Sequence, residues 1–542
     1  MEVTPQEYGR TRGGVVLLAA LACTLIVVLA TSPENTGDAV DYARDAAGAP
    51  SVRTLSLYEP GHLFWRPTGV LLREAIGSPS TNDPAAVRDT QRRFSRISVV
   101  ASVVVSAAIG LLVLGGVGSL AAALAAVVMT ALGASIINFG QAGAPYIPGL
   151  ALVCLALLLG TGGGQRPSLP RAIVAGCLLA AGVLLWLPFV LVVPAVLVAA
   201  LLSPGETRYR VRATIAATMA CGLIGVSVYL GIASLRGVRS PLAFMQWIGA
   251  SAHGIARPGL SRVIIGLPRS FVHMGNDGRE VRRYLLADPL NPVTSAQVAT
   301  LHLWPKLVLF YLVLAVVAWF ALRRPQGRKL LLALGVAVVP VVWLGAAWSG
   351  GEEERYLALY PFIIPLVIWA AWTAAAERQR LVPAAVGALA LLWLSNVIAF
   401  NPWATRARSA AAQARLGCVA PILDARSVII VPHQSDPLVT FTRDRLDERP
   451  RSVGTSVNYL LPPNTIRGLS WNATLDSLVA RALGSGGRVW IPAYALDSIP
   501  PRSSGWVEGG QAVKWSQIRE AFSALGVTRG CSDTPLLEVV AR

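Results

Sequence analysis

Charge is what this sequence has least of. Only 14% of its 542 residues are Asp, Glu, Lys or Arg, against roughly a quarter in soluble domains. Lysine is nearly missing, with Lys306, Lys329 and Lys514 as its three occurrences; an arginine-rich, lysine-poor chain suits a high-GC bacterial genome. Six cysteines are too few for a disulfide-built scaffold. Cys23, Cys154, Cys177 and Cys221 sit in apolar stretches and read as small hydrophobes. Cys418 and Cys531, in the polar C-terminal region, would pair if that region is extracytoplasmic. No P-loop, GxGxxG, HExxH, CxxC or GxSxG element stands in a supporting context, which argues against ATP-driven transport and metalloprotease chemistry. No internal repeat is apparent, so an inverted-repeat transporter gains no support.

What is present is apolar length. Hydrophobic residues make up 54% of the chain and mean hydropathy is +0.56. They come in blocks long enough for a helix to cross a hydrocarbon core of about 30 Å. That excludes a purely secreted enzyme, a DNA-binding protein and a disordered chain. The net charge of +18 does not point to nucleic acid, because the arginines sit mostly in short connectors between apolar blocks, where the positive-inside bias places them.

Eleven spans are expected, near residues 13–30, 97–114, 120–137, 148–160, two within 172–202, 213–235, 307–322, 330–348, 357–376 and 382–400. The first is read as a retained helix rather than a signal peptide. The stretch 172–202 would make a helix of about 46 Å and contains Pro188 and Pro194, so it is read as two short helices turning near Pro188. With the N-terminus cytoplasmic, this parity puts the basic connectors 166–171, 208–212, 323–329 and 377–380 on one side. The other side receives two long loops, 31–95 and 236–305, and a C-terminal region. The expected organisation is a polytopic α-helical membrane domain over 1–400 and a small extracytoplasmic α/β domain over 401–542. In the latter, short strands are expected at 427–431, 488–492 and 536–540, with helices at 475–483 and 516–525.

The helices are almost free of ionisable groups, so the chemistry is expected at the outer membrane boundary. Just past the first span, Asp38 and Asp41 are three residues apart and share a face of any helical turn. Either could act as general base towards a hydroxyl; Asp38 could equally cap a helix over 39–47. Asp45 reads as solvated. In the following segment, His62 and Arg66 are four apart and suit one ligand, while Tyr58, Phe64 and Trp65 suit an interfacial anchor. In the second loop, Trp247, His253, Arg257, Arg262, Arg269, His273, Asn276 and Asp277 recur at the spacing of a helix lying on the membrane. The run Glu352-Glu353-Glu354-Arg355-Tyr356 precedes a late span. Its acids suit either a divalent cation or the positive end of a helix. Its arginine suits a phosphate or a neighbouring glutamate.

Three of these segments together resemble the GT-C superfamily of membrane glycosyltransferases, especially bacterial relatives of the protein O-mannosyltransferases and the aminoarabinose transferases. They are Gly-Asp-x-x-Asp-Tyr at 37–42, Glu-Pro-Gly-His-Leu-x-x-Arg-Pro at 59–67, and Glu-Glu-Arg-Tyr-Leu-x-x-Tyr-Pro at 353–361. The resemblance covers about residues 13–400. It implies transfer of a sugar from a polyprenyl-phosphate donor to a lipid, glycan or protein acceptor at the outer face of a bacterial plasma membrane. It implies a first-loop acid, Asp38 or Asp41, as base, and His62, Arg66, Glu354, Arg355 and Tyr356 around the donor phosphate. No cofactor is implied with certainty; a divalent cation is compatible. The first-loop acids are not the Asp-Glu pair of the protein mannosyltransferases, which leaves the base and the acceptor class open. A flippase for a lipid-linked glycan and a non-catalytic envelope assembly protein are the alternative readings.

Overall fold

The computed structural model describes residues 5–33, 38–81, 84–161, 168–250, 259–275, 281, 284, 294–347, 351–403, 427–431, 456–459, 470–498, 506–508, 511–529 and 536–540. Its main body is a bundle of apolar helices. Among the described residues, seven helices are long and apolar enough to cross a membrane: Thr11–Ala30, Ala85–Val117, Thr207–Leu235, Leu303–Leu322, Pro325–Ala347, Glu353–Ala376 and Leu381–Ala399. A bent pair, Leu120–Ala131 with Ala134–Ala142, and three shorter apolar helices, Tyr146–Gly160, Leu169–Leu185 and Leu187–Leu202, accompany them. Each of the eleven expected blocks falls on one of these, and the chain is a multi-pass membrane protein.

In chain order, the helices used below are α1 (Pro5–Ala30), α2 (Ala39–Gly48), α3 (Trp65–Ala75), α4 (Pro84–Val117), α5 (Leu120–Ala131), α6 (Ala134–Ala142), α7 (Tyr146–Gly160), α8 (Leu169–Leu185), α9 (Val193–Leu202), α10 (Thr207–Leu235), α11 (Pro241–Ala250) and α12 (Leu260–Phe271). They continue with α13 (Ser295–Ala299), α14 (Leu303–Leu322), α15 (Pro325–Ala347), α16 (Tyr360–Ala376) and α17 (Leu381–Ala399). Small residues let the helices touch. A Cβ on Gly176 of α8 would lie 2.3 Å from the Ala217 carbonyl of α10, and one on Gly149 of α7 2.6 Å from Phe189. Such close approaches are how helices associate where lipid removes the hydrophobic incentive.

Two breaks shape one end of this bundle. The first is the expected one. Helix α8 ends at Leu185, Trp186 turns extended (φ −150°, ψ 106°), and a 3-10 turn over Leu187–Val192 begins α9's segment. Pro188 disfavours helix at the residue before it. The second was not expected: 120–137 is not one straight span. The chain bends by 61° between α5 and α6. A Cβ on Gly133 would sit 2.4 Å from the Tyr360 hydroxyl, so the bend brings the backbone against α16. Asn396 of α17, fully buried, holds the bend from the other side. Its Nδ2 donates to the carbonyls of Leu132 (2.7 Å) and Phe271 (2.9 Å), and its Oδ1 accepts from the His273 amide at 2.8 Å.

Direct bonds sort the connectors onto two ends of the bundle. At one end Arg12 donates to the Gly118 carbonyl, and Arg324 pairs with Glu377. At the other, the Ser32 amide donates to Phe400 and the Gly259 amide to Ala346. The first long loop is largely helical: α2, α3 and the first turns of α4, which starts at Pro84, well before the apolar block. Buried Arg73 of α3 donates to the carbonyls of Ala46 (3.0 Å), Ala47 (2.9 Å) and Ala49 (2.5 Å), satisfying the C-terminal end of α2.

Among the described residues, the C-terminal region carries two further helices, α18 (Trp471–Gly484) and α19 (Trp515–Ala524), and seven strands. These are β1 (Val428–Val431), β2 (Ser456–Tyr459), β3 (Val489–Pro492), β4 (Trp506–Glu508), β5 (Gln511–Val513), β6 (Val527–Arg529) and β7 (Leu536–Val539). Five strands form a mixed sheet in the order β2-β1-β3-β7-β6. Strand β1 runs parallel to β2 and β3, and β7 antiparallel to β3 and β6. Ile429, Ile430, Trp490, Ile491, Ile518 and Phe522 form a core separate from the bundle's. The expected strands β1, β3 and β7 and both helices are present; β2, β4, β5 and β6 are additional. Cys418 and Cys531 lie outside the described residues.

Candidate functional site

The site is assembled where the first loop meets the N-terminal ends of α7 and α16. Helix α2 carries its acids on different faces. Asp38 precedes the helix and makes no side-chain cap bond; its Oδ2 accepts from the Tyr42 hydroxyl at a long 3.4 Å, one turn on. Asp41 turns outwards and pairs with Arg44 at 2.8 Å. Asp45 is exposed, as expected of a solvated acid, and its Oδ2 also accepts from Arg66 Nε at 2.7 Å. Residue 45 lies two turns after Asp38 and so falls on the same side of the segment.

Arg66 is the centre of the first-loop cluster. Its side chain is 9% exposed and pairs with Asp45 and Glu59, with its guanidinium carbon 4.6 Å from the Tyr42 ring centre. Burial opposes its charge, but Glu59, Tyr42 and Asp45 outweigh that and hold the guanidinium above its ordinary pKa. Burial also pushes the Tyr42 phenol well above its ordinary value, with Tyr146, Asp38 and Glu59 adding to it and Arg66 opposing.

His62 ends a 3-10 turn, Pro60–His62, and is buried with its ring between those of Tyr42 (5.2 Å) and Tyr146 (5.9 Å). The turn is pinned by α10: Tyr229 donates to the Pro60 carbonyl and Arg236 to the Tyr58 carbonyl, both at 2.8 Å. The Phe64 amide reaches the Leu184 carbonyl, freed where α8 breaks. Tyr146, at the start of α7, continues the aromatic column to Trp186 at 5.0 Å.

The third segment also reaches Tyr146. A 3-10 turn over Glu353–Leu359 leads into α16. Arg355, 11% exposed, donates to Glu352 through Nη2 (2.9 Å) and Nε (3.2 Å), with Glu354 4.0 Å away. Tyr356 is fully buried behind it. Tyr146 is within electrostatic reach of Asp38 and of Glu352, Glu354 and Arg355.

Three sequence motifs spread over more than 300 residues therefore meet around one tyrosine. Of the residues singled out from sequence, Asp38, His62, Arg66, Glu354, Arg355 and Tyr356 gather here, and Asp41 faces away. Tyr42, Glu59, Tyr146, Trp186 and Glu352 complete the cluster. Glu59 and Glu352 stood within the motifs. Tyr42 closed the first motif, and Tyr146, within an apolar run, was signalled by nothing. The acid run does not converge as a cation site would: Glu352 bonds Arg355, whereas Glu353 turns to Asn138 and Arg269. Among the described residues, no group of three His, Cys, Asp or Glu side chains stands ready to hold a metal ion. In the second loop, Trp247 packs towards Tyr229 and His273 against Phe400. His253, Arg257, Asn276 and Asp277 lie outside the described residues.

No protein-family model matches the sequence, and no curated protein matches it. Among solved structures, the chain is similar to the crystal structure of ArnT from Cupriavidus metallidurans bound to undecaprenyl phosphate. The two share 12% identity and a TM-score of 0.47, over 97% of this chain and 98% of that one.

Proposed function

We propose that the chain is a GT-C-type glycosyltransferase that moves a sugar from a polyprenyl-phosphate donor to an acceptor hydroxyl at the outer face of a bacterial plasma membrane. The observation that carries this reading is that a carboxylate (Asp38) and an arginine at the end of an apolar span (Arg355) both come within electrostatic reach of Tyr146. A base and a phosphate anchor at the membrane boundary are the minimum that this reaction requires.

Asp38 takes the proton of the acceptor hydroxyl as its oxygen attacks the anomeric carbon. The bond from that carbon to the phosphate oxygen breaks through an oxocarbenium-like transition state. The polyprenyl phosphate departs with the electron pair, and Arg355 stabilises the charge it gains. A single displacement inverts the anomeric centre. Arg66, already engaged by Glu59 and Asp45, braces α2 against α3 and so orients Asp38. His62 and Tyr356 wall the site, and Glu354 keeps Arg355 aimed. The N-terminus is cytoplasmic and the 401–542 region is an extracytoplasmic domain.

The test supplies purified protein with radiolabelled polyprenyl-phosphate sugars and a crude membrane acceptor extract. Transfer by the wild type that is lost in Asp38→Asn supports both enzyme class and base. Transfer surviving in Asp38→Asn would move the base elsewhere, and transbilayer movement of a lipid-linked glycan without a new glycosidic bond would favour a flippase.

A further inference from the structure

Glu352 and Glu353 are the acids of the 352–354 run that the proposed chemistry does not use, and Glu353 is the most enclosed of the three. Its side chain is 11% exposed, against 16% for Glu354 and 47% for Glu352. Burying a carboxylate is unfavourable unless partners replace its water, and Glu353 has them from two elements. Asn138 of α6 donates through Nδ2 to Oε1 at 2.9 Å. Arg269, in the last turn of α12, brings Nε to 3.6 Å from Oε2 and donates through Nη1 to the Gly351 carbonyl at 3.4 Å. The backbone is tied as well. Ser135 of α6 lies 3.5 Å from the Glu353 carbonyl and 3.1 Å from the Ser270 hydroxyl, and Tyr360 donates to the Ser270 carbonyl at 2.5 Å.

These bonds converge on one short stretch of chain. The Glu353–Leu359 turn begins at the clamped residue and carries Glu354 and Arg355 immediately after it. A 3-10 turn has poorer hydrogen-bond geometry than an α-helix and holds its place weakly on its own. The clamp supplies what the turn lacks.

We propose that Glu353 is a positioning residue: held between Asn138 and Arg269, its carboxylate fixes the turn that presents Arg355 to the donor phosphate. The inference rests on the reading of Arg355 as phosphate anchor given above. It assigns to α6, beyond the bend at Gly133, and to the C-terminal end of α12 a shared part in donor binding. Neither element need touch the donor for this.

The experiment uses the full chain in lipid nanodiscs with a synthetic polyprenyl-phosphate sugar. It measures separate KM values for donor and acceptor in the wild type, Glu353→Ala, Glu353→Gln and Asn138→Ala. Glu353→Ala is expected to raise the donor KM by about tenfold or more, the equivalent of losing one charge-assisted bond, with the acceptor KM unchanged. Glu353→Gln restores most of the loss, because its amide oxygen still accepts from Asn138. Asn138→Ala follows Glu353→Ala in direction. An unchanged donor KM in Glu353→Ala, or equal rises for donor and acceptor, overturns the proposal. Hydrogen exchange of the amides of residues 354–359 is followed alongside in the same variants. If the wild type transfers no sugar, the functional reading fails, and the clamp is then judged by exchange alone. Faster exchange in Glu353→Ala but not in Glu353→Gln supports the clamp, and unchanged exchange in both removes it.

Discussion

Two carboxylates three positions apart, Asp38 and Asp41, have separate fates because only one of them meets the bundle. Asp38 lies beside the Tyr42 hydroxyl and within the field of Tyr146, while Asp41 is taken up by Arg44 on an exposed face. Asp38→Asn is expected to lower sugar transfer by about a hundredfold or more, the scale of a lost general base. Asp41→Asn is expected to stay within about threefold of the wild type, since an exposed i,i+3 pair contributes little. Parallel initial-rate assays decide between them, and the reverse ranking would exchange their roles. Tyr42 gives a pH signature. Its phenol pKa is raised in the folded protein, chiefly by burial. It therefore contributes stability that is fully present below about pH 10, the unfolded phenol value, and lost as pH rises towards the folded value. Thermal unfolding of Tyr42→Phe should show a shallower alkaline decline than the wild type. The motifs around Asp38, Arg66 and Arg355 were legible because each mixes charge with aromatics in a chain poor in both. Tyr146 was not, since a tyrosine in an apolar run looks the same whether it faces a site or a core.

At the scale of elements, proline marks one break and a polar side chain the other. Pro188 made the interruption after α8 readable. The bend between α5 and α6 rests on Asn396, which lies more than 250 residues downstream, and local sequence holds no trace of that contact. Replacing Asn396 by Leu would leave the carbonyls of Leu132 and Phe271 and the amide of His273 without this partner. Buried groups stranded in this way cost about 1–3 kcal/mol each, so a loss of about 3 kcal/mol or more is expected in reversible unfolding in detergent. A loss under about 1 kcal/mol would mean that water replaces the amide. Gly133→Ala should act on the same bend by pushing a Cβ against Tyr360, and should lower the melting temperature without altering either α5 or α6 alone.

For the whole molecule, the apolar blocks and the basic connectors were enough to outline the bundle. The pairing of Arg324 with Glu377 joins two connectors assigned to one end, and Ser32 with Phe400 joins two segments assigned to the other. In the C-terminal region the three strands read from sequence, β1, β3 and β7, are the apolar ones that form the sheet interior. The short strands β2 and β4 to β6 lack such runs, and pairing rather than pattern defines them. The proposed orientation predicts that single cysteines placed at Thr207 and Arg328 are shielded from a membrane-impermeant thiol reagent in intact cells. One placed at Ser485 should be labelled. The opposite pattern would invert the topology and put the Asp38 site on the cytoplasmic face.

The cap that Arg73 places on α2 bears on how this protein can be recombined with others. A ten-residue helix does not persist alone in water, and this one is finished by a guanidinium that belongs to the next helix. A chimera that imports residues 38–48 alone would receive a helix without its stop. The smallest portable unit is the whole stretch from Asp38 to Ala75, which brings the acid, the brace at Arg66 and the cap together.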